Sequence, residues 1–290
     1  MERTAVRPED TSIAIIGEGV VGGALRRWFE SRRIGAGSYD PPKGLADKGV
    51  VERADIVFIC VPTPYARGRG FDDAMLLTAA RAVGGEKTVV IKSTVLPGTT
   101  AMLQERLPQH RWIFNPEFLR EASALEDMMR PDRQIIGCTP QSAGEAERLL
   151  ALLPPAPFVR VCASGEAEMA KYMANSFLAA KVSFANEFHD LCVRMGIDYA
   201  GVRDVVAADE RIGASHLDVF AGGYRGYGGK CLPKDSMALL ELARSFGVDM
   251  RMVSAARDVN EDLTAARGEE SLRQARIAAL ERDEPAEAAA

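Results

Sequence analysis

The chain has 290 residues, of which 47% are hydrophobic and 27% charged, with a formal net charge of -5 at pH 7. That profile fits a soluble globular protein with room for two domains. It speaks against a nucleic-acid partner, because no basic run offsets the negative balance, and against a membrane partner, because no stretch approaches the roughly 18 apolar residues a span requires.

Residues Met1 to Asp10 are charged and carry no apolar secretory core, so cytoplasmic residence is expected. From Ser12 to Cys138 short apolar runs alternate with helical patterns. Ser12 to Ile16, Ile56 to Val61, Thr88 to Lys92 and Arg133 to Cys138 read as strands. Val20 to Ser31, Asp72 to Val83, Thr99 to Leu107 and Gln141 to Leu153 read as helices. Near-continuous apolar strands alternating with helices predict an α/β domain, a doubly wound parallel sheet covered on both faces, over residues 1–163.

After Pro157 to Cys162 the pattern becomes all-helical, over residues 164–263. From Gly165 to Arg194 there is no proline, and Met169, Met173, Phe177, Ala180, Phe184, Phe188 and Leu191 recur at helical spacing. One helix of about 28 residues, roughly 42 Å long, is predicted. Such a helix exposes more apolar surface than a small domain covers, so a homodimer built along it is expected. Gly196 ends it. Tyr199 to Ala208, Lys234 to Phe246 and Met250 to Ala266 read as further helices, and residues 264–290 form a charged Ala/Glu-rich tail that frays into disorder.

Gly17-Glu18-Gly19-Val20-Val21-Gly22 lies between the first strand and the first helix. In that setting Gly17 and Gly19 permit a tight turn and close approach to a pyrophosphate, and Gly22 lets helix pack on strand. The helix N-terminus at Val20 and Val21 then faces the phosphate charge. Asp40 follows Gly22 by 18 residues, just after the second strand, where an acid accepts hydrogen bonds from ribose hydroxyls and repels a 2′-phosphate. NAD is therefore the expected cofactor, with Lys43 close by.

The cysteines are Cys60, Cys138, Cys162, Cys192 and Cys231. Their odd number and the lack of a CxxC pair point to neither a disulfide framework nor a zinc cluster. Cys60 and Cys162 read as small buried hydrophobes. Cys231 differs: Gly228 and Gly229 let its loop bend toward a ligand, and Lys230 and Lys234 supply positive charge that favours thiolate. Lys171 and Asn175, four apart, share a helix face; on spacing alone they read as a solvated stripe. His110, His189 and His216 match no metal spacing, and no metal is expected.

Four further segments extend the glycine motif: Cys60-Val61-Pro62-Thr63-Pro64, Lys92-Ser93-Thr94-Val95-Leu96-Pro97-Gly98-Thr99, Asn115-Pro116-Glu117-Phe118-Leu119-Arg120-Glu121, and Gly226-Tyr227-Gly228-Gly229-Lys230-Cys231-Leu232-Pro233-Lys234-Asp235. In order and spacing, from Ser12 to Asn260, the chain resembles the UDP-glucose/GDP-mannose dehydrogenase family, its UDP-glucose 6-dehydrogenase branch most closely. The resemblance implies a Rossmann domain, then a helical domain with one long central helix, and oxidation of a nucleotide-diphosphate sugar with NAD. It implies that Thr63 lies along the cofactor, that Thr94 bonds near the reacting oxygen, and that Glu117 and Glu121 line the site, Glu121 close to the nicotinamide. Lys171 and Asn175 would face the reacting carbon, Cys231 would be the nucleophile, and Asp235 would help activate water. Phe118, Leu119, Tyr227, Gly228 and Gly229, beside those residues, would contact the substrate.

A thiol suits this chemistry. Alcohol-to-acid oxidation requires two hydride losses, and the second needs an adduct on the aldehyde; a thiolate gives a thiohemiacetal and then a thioester that water cleaves. The family usually carries a third, nucleotide-gripping domain after the helix ending near Asn260, and the residues that follow are too few for one. A separate chain supplying that domain is one expectation, and a non-catalytic cofactor-binding subunit is another. A simple 3-hydroxyacid dehydrogenase shares the Lys-Asn pair but lacks the Cys231 loop.

Overall fold

The computed structural model describes residues 11–66 and 70–283, with backbone alone over 268–283. Residues 1–10, read above as lacking a secretory core, and 284–290 of the tail lie outside the described residues. The chain divides into two compact units, Met1–Met173 and Ala174–Ala290.

The first unit runs β1 (Ile13–Ile16), α1 (Val20–Ser31), β2 (Ala36–Tyr39), α2 (Gly49–Arg53), β3 (Ile56–Ile59), β4 (Tyr65–Ala66), β5 (Gly70–Phe71), α3 (Ala74–Ala82), β6 (Thr88–Ile91), α4 (Thr99–Arg106), β7 (Arg111–Phe114), α5 (Ala124–Met129), β8 (Arg133–Cys138), α6 (Ala146–Leu152) and β9 (Phe158–Ala163). Seven strands form one sheet in the order β2-β1-β3-β6-β7-β8-β9, and β4 and β5 pair as a small hairpin. Alternate residues of each central strand enter opposite cores. Ile13, Ile15, Ile56, Phe58, Val90 and Ile113 pack under Leu25 and Phe29 of α1 and Leu149 of α6. Ala14, Ile16, Val57, Ile59, Val89, Ile91, Trp112 and Phe114 pack under Leu76 of α3 and Leu103 of α4. Period-two side chains covered on both faces are what make these strands read as unbroken apolar runs.

The sheet departs from a uniformly parallel one at a single step: β7 and β8 pair antiparallel, while β8 and β9 run parallel to each other. Strand β7 escapes the sequence pattern because Trp112, Ile113 and Phe114 form too short an apolar run to tell from a loop. Cys162 is half-buried rather than buried, because β9 is the edge strand and has no neighbour on one side. The order places β1 between β2 and β3: the chain passes from β1 out to β2 and then crosses back over β1 to β3. In a sheet of this kind the carboxyl ends of the strands at that switch point are where a ligand binds.

Helix α7 (Ser164–Met195) has 32 residues; its first ten belong to the sheet unit and the rest to the helical one. The helical unit continues with α8 (Tyr199–Ala207), α9 (Leu232–Ser245) and α10 (Arg251–Asp283). Helix α10 runs past Gly268 where the sequence predicts a stop at Ala266. One glycine costs a helix only about 1 kcal/mol, which the Ala, Glu, Leu and Arg residues that follow offset. No described helix is long and apolar enough to cross a membrane.

Candidate active site

The glycine turn is shaped by sterics. Gly17 has φ +98, and a Cβ there would lie 2.8 Å from the Cys60 carbonyl oxygen; a Cβ on Gly22 would lie 1.9 Å from the Gly17 carbonyl oxygen. Only glycine allows β1, β3 and α1 to approach so closely. Gly19 is different: a Cβ there meets nothing within 4 Å. It caps α1 with no side-chain hydrogen bond, and the first turn of α1 carries no acid. A helix start with no side-chain cap, no acid in its first turn and free space at Gly19 fits a pyrophosphate.

The turn is tied to β2. Gly17 N–H donates to Tyr39 O at 3.0 Å, and Glu18 N–H donates to Asp40 Oδ2 at 2.8 Å. Lys43 Nζ donates to the Glu18 carbonyl. Asp40 and Lys43 therefore both adjoin the turn. Thr63, in the loop after β3, donates through Oγ1 to Thr94 O at 2.7 Å. Ser93 Oγ bonds Val61 O at 2.6 Å, which joins the loops after β3 and β6 a second time.

Past β7 the chain is held from beneath. Buried Lys92 donates to Asn115 Oδ1 at 2.6 Å, and Asn115 Nδ2 donates to Ile135 O at 2.8 Å. Burial lowers Lys92 to about 8; burial likewise pushes the Cys60 thiol up to about 12, keeping it a neutral packing residue. Two residues past Asn115, Glu117 accepts from Lys171 Nζ at both its carbonyl (2.6 Å) and Oε1 (3.1 Å). Its Oε2 takes the Leu119 N–H at 2.7 Å. The Phe118 ring lies 5.3 Å from Lys171 Nζ. Glu121 stands exposed in the 3-10 turn Glu121–Ser123.

In the helical unit Cys231 is exposed and precedes α9 as its N-cap. Its carbonyl accepts the Asp235 N–H at 2.9 Å. Asp235 is fully buried and is held by Asn175 Nδ2 at 2.5 Å and Lys234 Nζ at 2.6 Å. A buried carboxylate needs such partners, since leaving it unpaired is costly. Lys171 and Asn175 are thus both buried rather than solvated, because each has a carboxylate to meet inside its own unit. Tyr227 is fixed by Asn260, whose Oδ1 accepts the Tyr227 N–H at 2.6 Å and whose Nδ2 donates to Tyr227 O at 3.0 Å. Gly229 follows with φ +73, and a Cβ on Gly228 would lie 2.7 Å from the Tyr224 hydroxyl.

Residues 46–152 match the UDP-glucose/GDP-mannose dehydrogenase family's NAD binding domain, and residues 165–262 match its central domain. A solved UDP-glucose dehydrogenase from the hyperthermophilic archaeon Pyrobaculum islandicum superposes with a TM-score of 0.75 at 33% identity, over 87% of this chain and 68% of that one. The chain belongs to the UDP-glucose/GDP-mannose dehydrogenase family. The N-terminal unit of this family member is accordingly an NAD-binding domain. The chain is also 40% identical to a UDP-glucose 6-dehydrogenase of Pseudomonas aeruginosa and 37% identical to UDP-glucose 6-dehydrogenase TuaD of Bacillus subtilis, over 75% and 73% of its length. It spans about half the length of these curated relatives.

Within the sheet unit of this family member, Asp40 and Lys43 meet the turn at Glu18, Thr63 meets Thr94, and Glu117 meets Lys171. Within the helical unit Asn175 meets Asp235 behind Cys231. Sequence reasoning missed Glu18, Asn115, Lys92 and Asn260, although all but Asn260 lie inside the quoted segments. It also missed Glu168, which reaches from α7 to cap α4, accepting from Gly98 N–H at 2.6 Å and Thr100 N–H at 2.8 Å. Only the spacing of Glu168, three residues before Lys171, could have drawn notice to it.

Proposed function

We propose that the protein oxidises the C6 alcohol of a nucleotide-diphosphate sugar, UDP-glucose first, to the carboxylate in two steps with Cys231 as nucleophile. The observation that carries this reading is the exposed Cys231 at the start of α9, above the buried Asp235 that Asn175 and Lys234 hold. The names of the relatives supply the substrate class. NAD+ would be held by the glycine turn, with Asp40 toward its ribose, and would supply the hydride acceptor for both oxidations.

The chain's own residues divide the remaining work. Lys171 and Asn175 stabilise the oxygen as it gains negative charge, a role that one donor of this kind performs at about 3 kcal/mol. The Cys231 thiolate adds to the aldehyde carbon: the S–C bond forms, the carbonyl π pair moves to oxygen, and oxygen takes a proton. Loss of the second hydride to the cofactor, with release of the hydroxyl proton, leaves a thioester. Water activated by Asp235 attacks it, the C–S bond breaks, and the thiolate is restored. In the sheet unit Glu117, Phe118 and Leu119 serve the sugar and Thr63 and Glu121 the cofactor; in the helical unit Tyr227, Gly228 and Gly229 serve the sugar.

Counting NADH per UDP-glucose consumed tests the reading. Two are expected. One indicates a simple alcohol dehydrogenase, and none, with NAD+ still bound, a cofactor-binding subunit.

The same reading includes a homodimer along α7. Met173, Phe177, Phe184 and Leu191 are 72%, 64%, 57% and 54% exposed, a row of large apolar side chains that a partner surface would cover. Sedimentation at micromolar concentration is expected to give a dimer; a clean monomer overturns it.

A further inference from the structure

Three donor-bearing side chains border the ribose end of the glycine turn, and Glu18 accepts from all of them. Arg26 Nε on α1 donates to Glu18 Oε1 at 3.1 Å. The Ser38 hydroxyl on β2 donates to the same oxygen, and Lys43 Nζ donates to the Glu18 carbonyl. Arg26 is also paired with Glu30. The Glu18 side chain is 10% exposed against 34% for Arg26, so the carboxylate is the inner member of the pair. Its own N–H is taken by Asp40 Oδ2, which puts the two acidic residues side by side at the end of β2.

Discrimination between NAD and its 2′-phosphorylated form is decided at this spot. A dianionic 2′-phosphate needs a guanidinium, hydroxyl or ammonium to receive it, whereas a ribose 2′-hydroxyl needs only an acceptor. Here Arg26 and Ser38 are engaged by the Glu18 carboxylate, which brings a negative charge of its own, and Lys43 by the Glu18 backbone carbonyl. A phosphate entering would face two carboxylates and find Arg26, Ser38 and Lys43 occupied.

We propose that Glu18 is a specificity-determining residue for NAD against NADP, its carboxylate acting beside Asp40 by withholding Arg26 and Ser38 from a 2′-phosphate. The inference rests on the NAD-binding domain and not on the proposed oxidation, so failure of one leaves the other standing.

Calorimetric titration of the protein with NAD+ and NADP+ at fixed ionic strength tests it, in the wild type, Glu18→Ala, Glu18→Gln and the Glu18→Ala/Arg26→Ala pair. The wild type is expected to prefer NAD+. Glu18→Ala should tighten NADP+ by about tenfold, the worth of one charge-assisted hydrogen bond, and leave NAD+ within about threefold, because the glycine turn is retained. Glu18→Gln, which keeps the side chain's size, should tighten NADP+ less. Adding Arg26→Ala should remove the gain. The proposal is overturned if NADP+ affinity is unchanged in both single variants. Parallel weakening of both cofactors in Glu18→Gln would also overturn it, since that is the mark of a residue that only builds the turn. So would a gain that survives the loss of Arg26, or a wild type that binds both cofactors equally.

Discussion

The sheet unit holds its cofactor turn by backbone shape, and the helical unit holds its cysteine loop by side-chain hydrogen bonds. In the first, Gly17 and Gly22 sit against backbone oxygens at distances no Cβ tolerates, with a two-sided apolar core behind them. In the second, the buried apolar residues include Ala179, Val182 and Tyr227, Ala185, Leu217 and Val219, and Leu239 and Leu240 of α9. Order there comes from Asn260 on Tyr227 and from Asn175 and Lys234 on Asp235. In the sheet unit backbone packing shapes the turn and polar ties from Asp40 and Lys43 add to it; in the helical unit the glycine-rich loop is pinned by amides and carboxylates.

The sharpest test of the helical half is Cys231→Ser. The substitution changes one exposed atom, so NAD+ binding and folding should be unaltered. Acid formation should fall by on the order of a thousandfold, since a serine hydroxyl is hardly ionised at neutral pH. Intact-mass measurement after mixing with UDP-glucose and NAD+ should show no thioester. A wild-type rate of acid formation rules out the covalent route.

Two glycine substitutions break the sheet half in contrasting ways. Gly22→Ala drives a methyl into the Gly17 carbonyl and should destabilise the unit by about 3 kcal/mol, the upper range for overpacking. Gly19→Ala meets open space, so stability should stay within about 0.5 kcal/mol, as for ordinary surface changes. Affinity for NAD+ should drop nonetheless, because that space is where the pyrophosphate is expected. Trp28 and Trp112, the only tryptophans, both lie in this unit, so their fluorescence follows its melting alone. Equal melting of the two variants would mean that the turn relaxes around a methyl.

Asn260→Ala asks whether amides pin the cysteine loop. It leaves the Tyr227 N–H and carbonyl unpaired at a buried site and should cost about 1–3 kcal/mol. Hydrogen exchange at residues 226–231 should quicken while β1 and β3 stay protected. Unchanged exchange would show that the Gly226 and Gly229 backbone suffices.

A pH-dependent test concerns Lys92. Its pKa is lowered to about 8 in the folded state by burial, below the 10.5 of an exposed lysine. Between those values the unfolded chain binds more protons, so Lys92 makes stability rise with pH from about 8 to 10.5. Lys92→Met should flatten that rise, read as the difference in tryptophan-monitored stability between variant and wild type. A slope equal to that of the wild type would mean that Lys92 titrates as an exposed lysine.

Sequence alone determined the alternation of strand and helix, the glycine turn with its acid at Asp40, and the long helix. These are local properties: period, turn chemistry, and residue types at fixed offsets along one segment. Helix α1 and strand β8 match their predicted limits, because each begins beside residues that interrupt the chain's regular structure: Gly19 before α1, and Pro131 and Asp132 before β8. Tertiary structure alone decided the strand order, the reversal at β7 and β8, and the partners of Glu18, Lys92, Glu168 and Asn260. Those partners lie 8 to 70 residues away. No periodicity carries such a pairing. It is set by which buried donor needs an acceptor once the cores have closed.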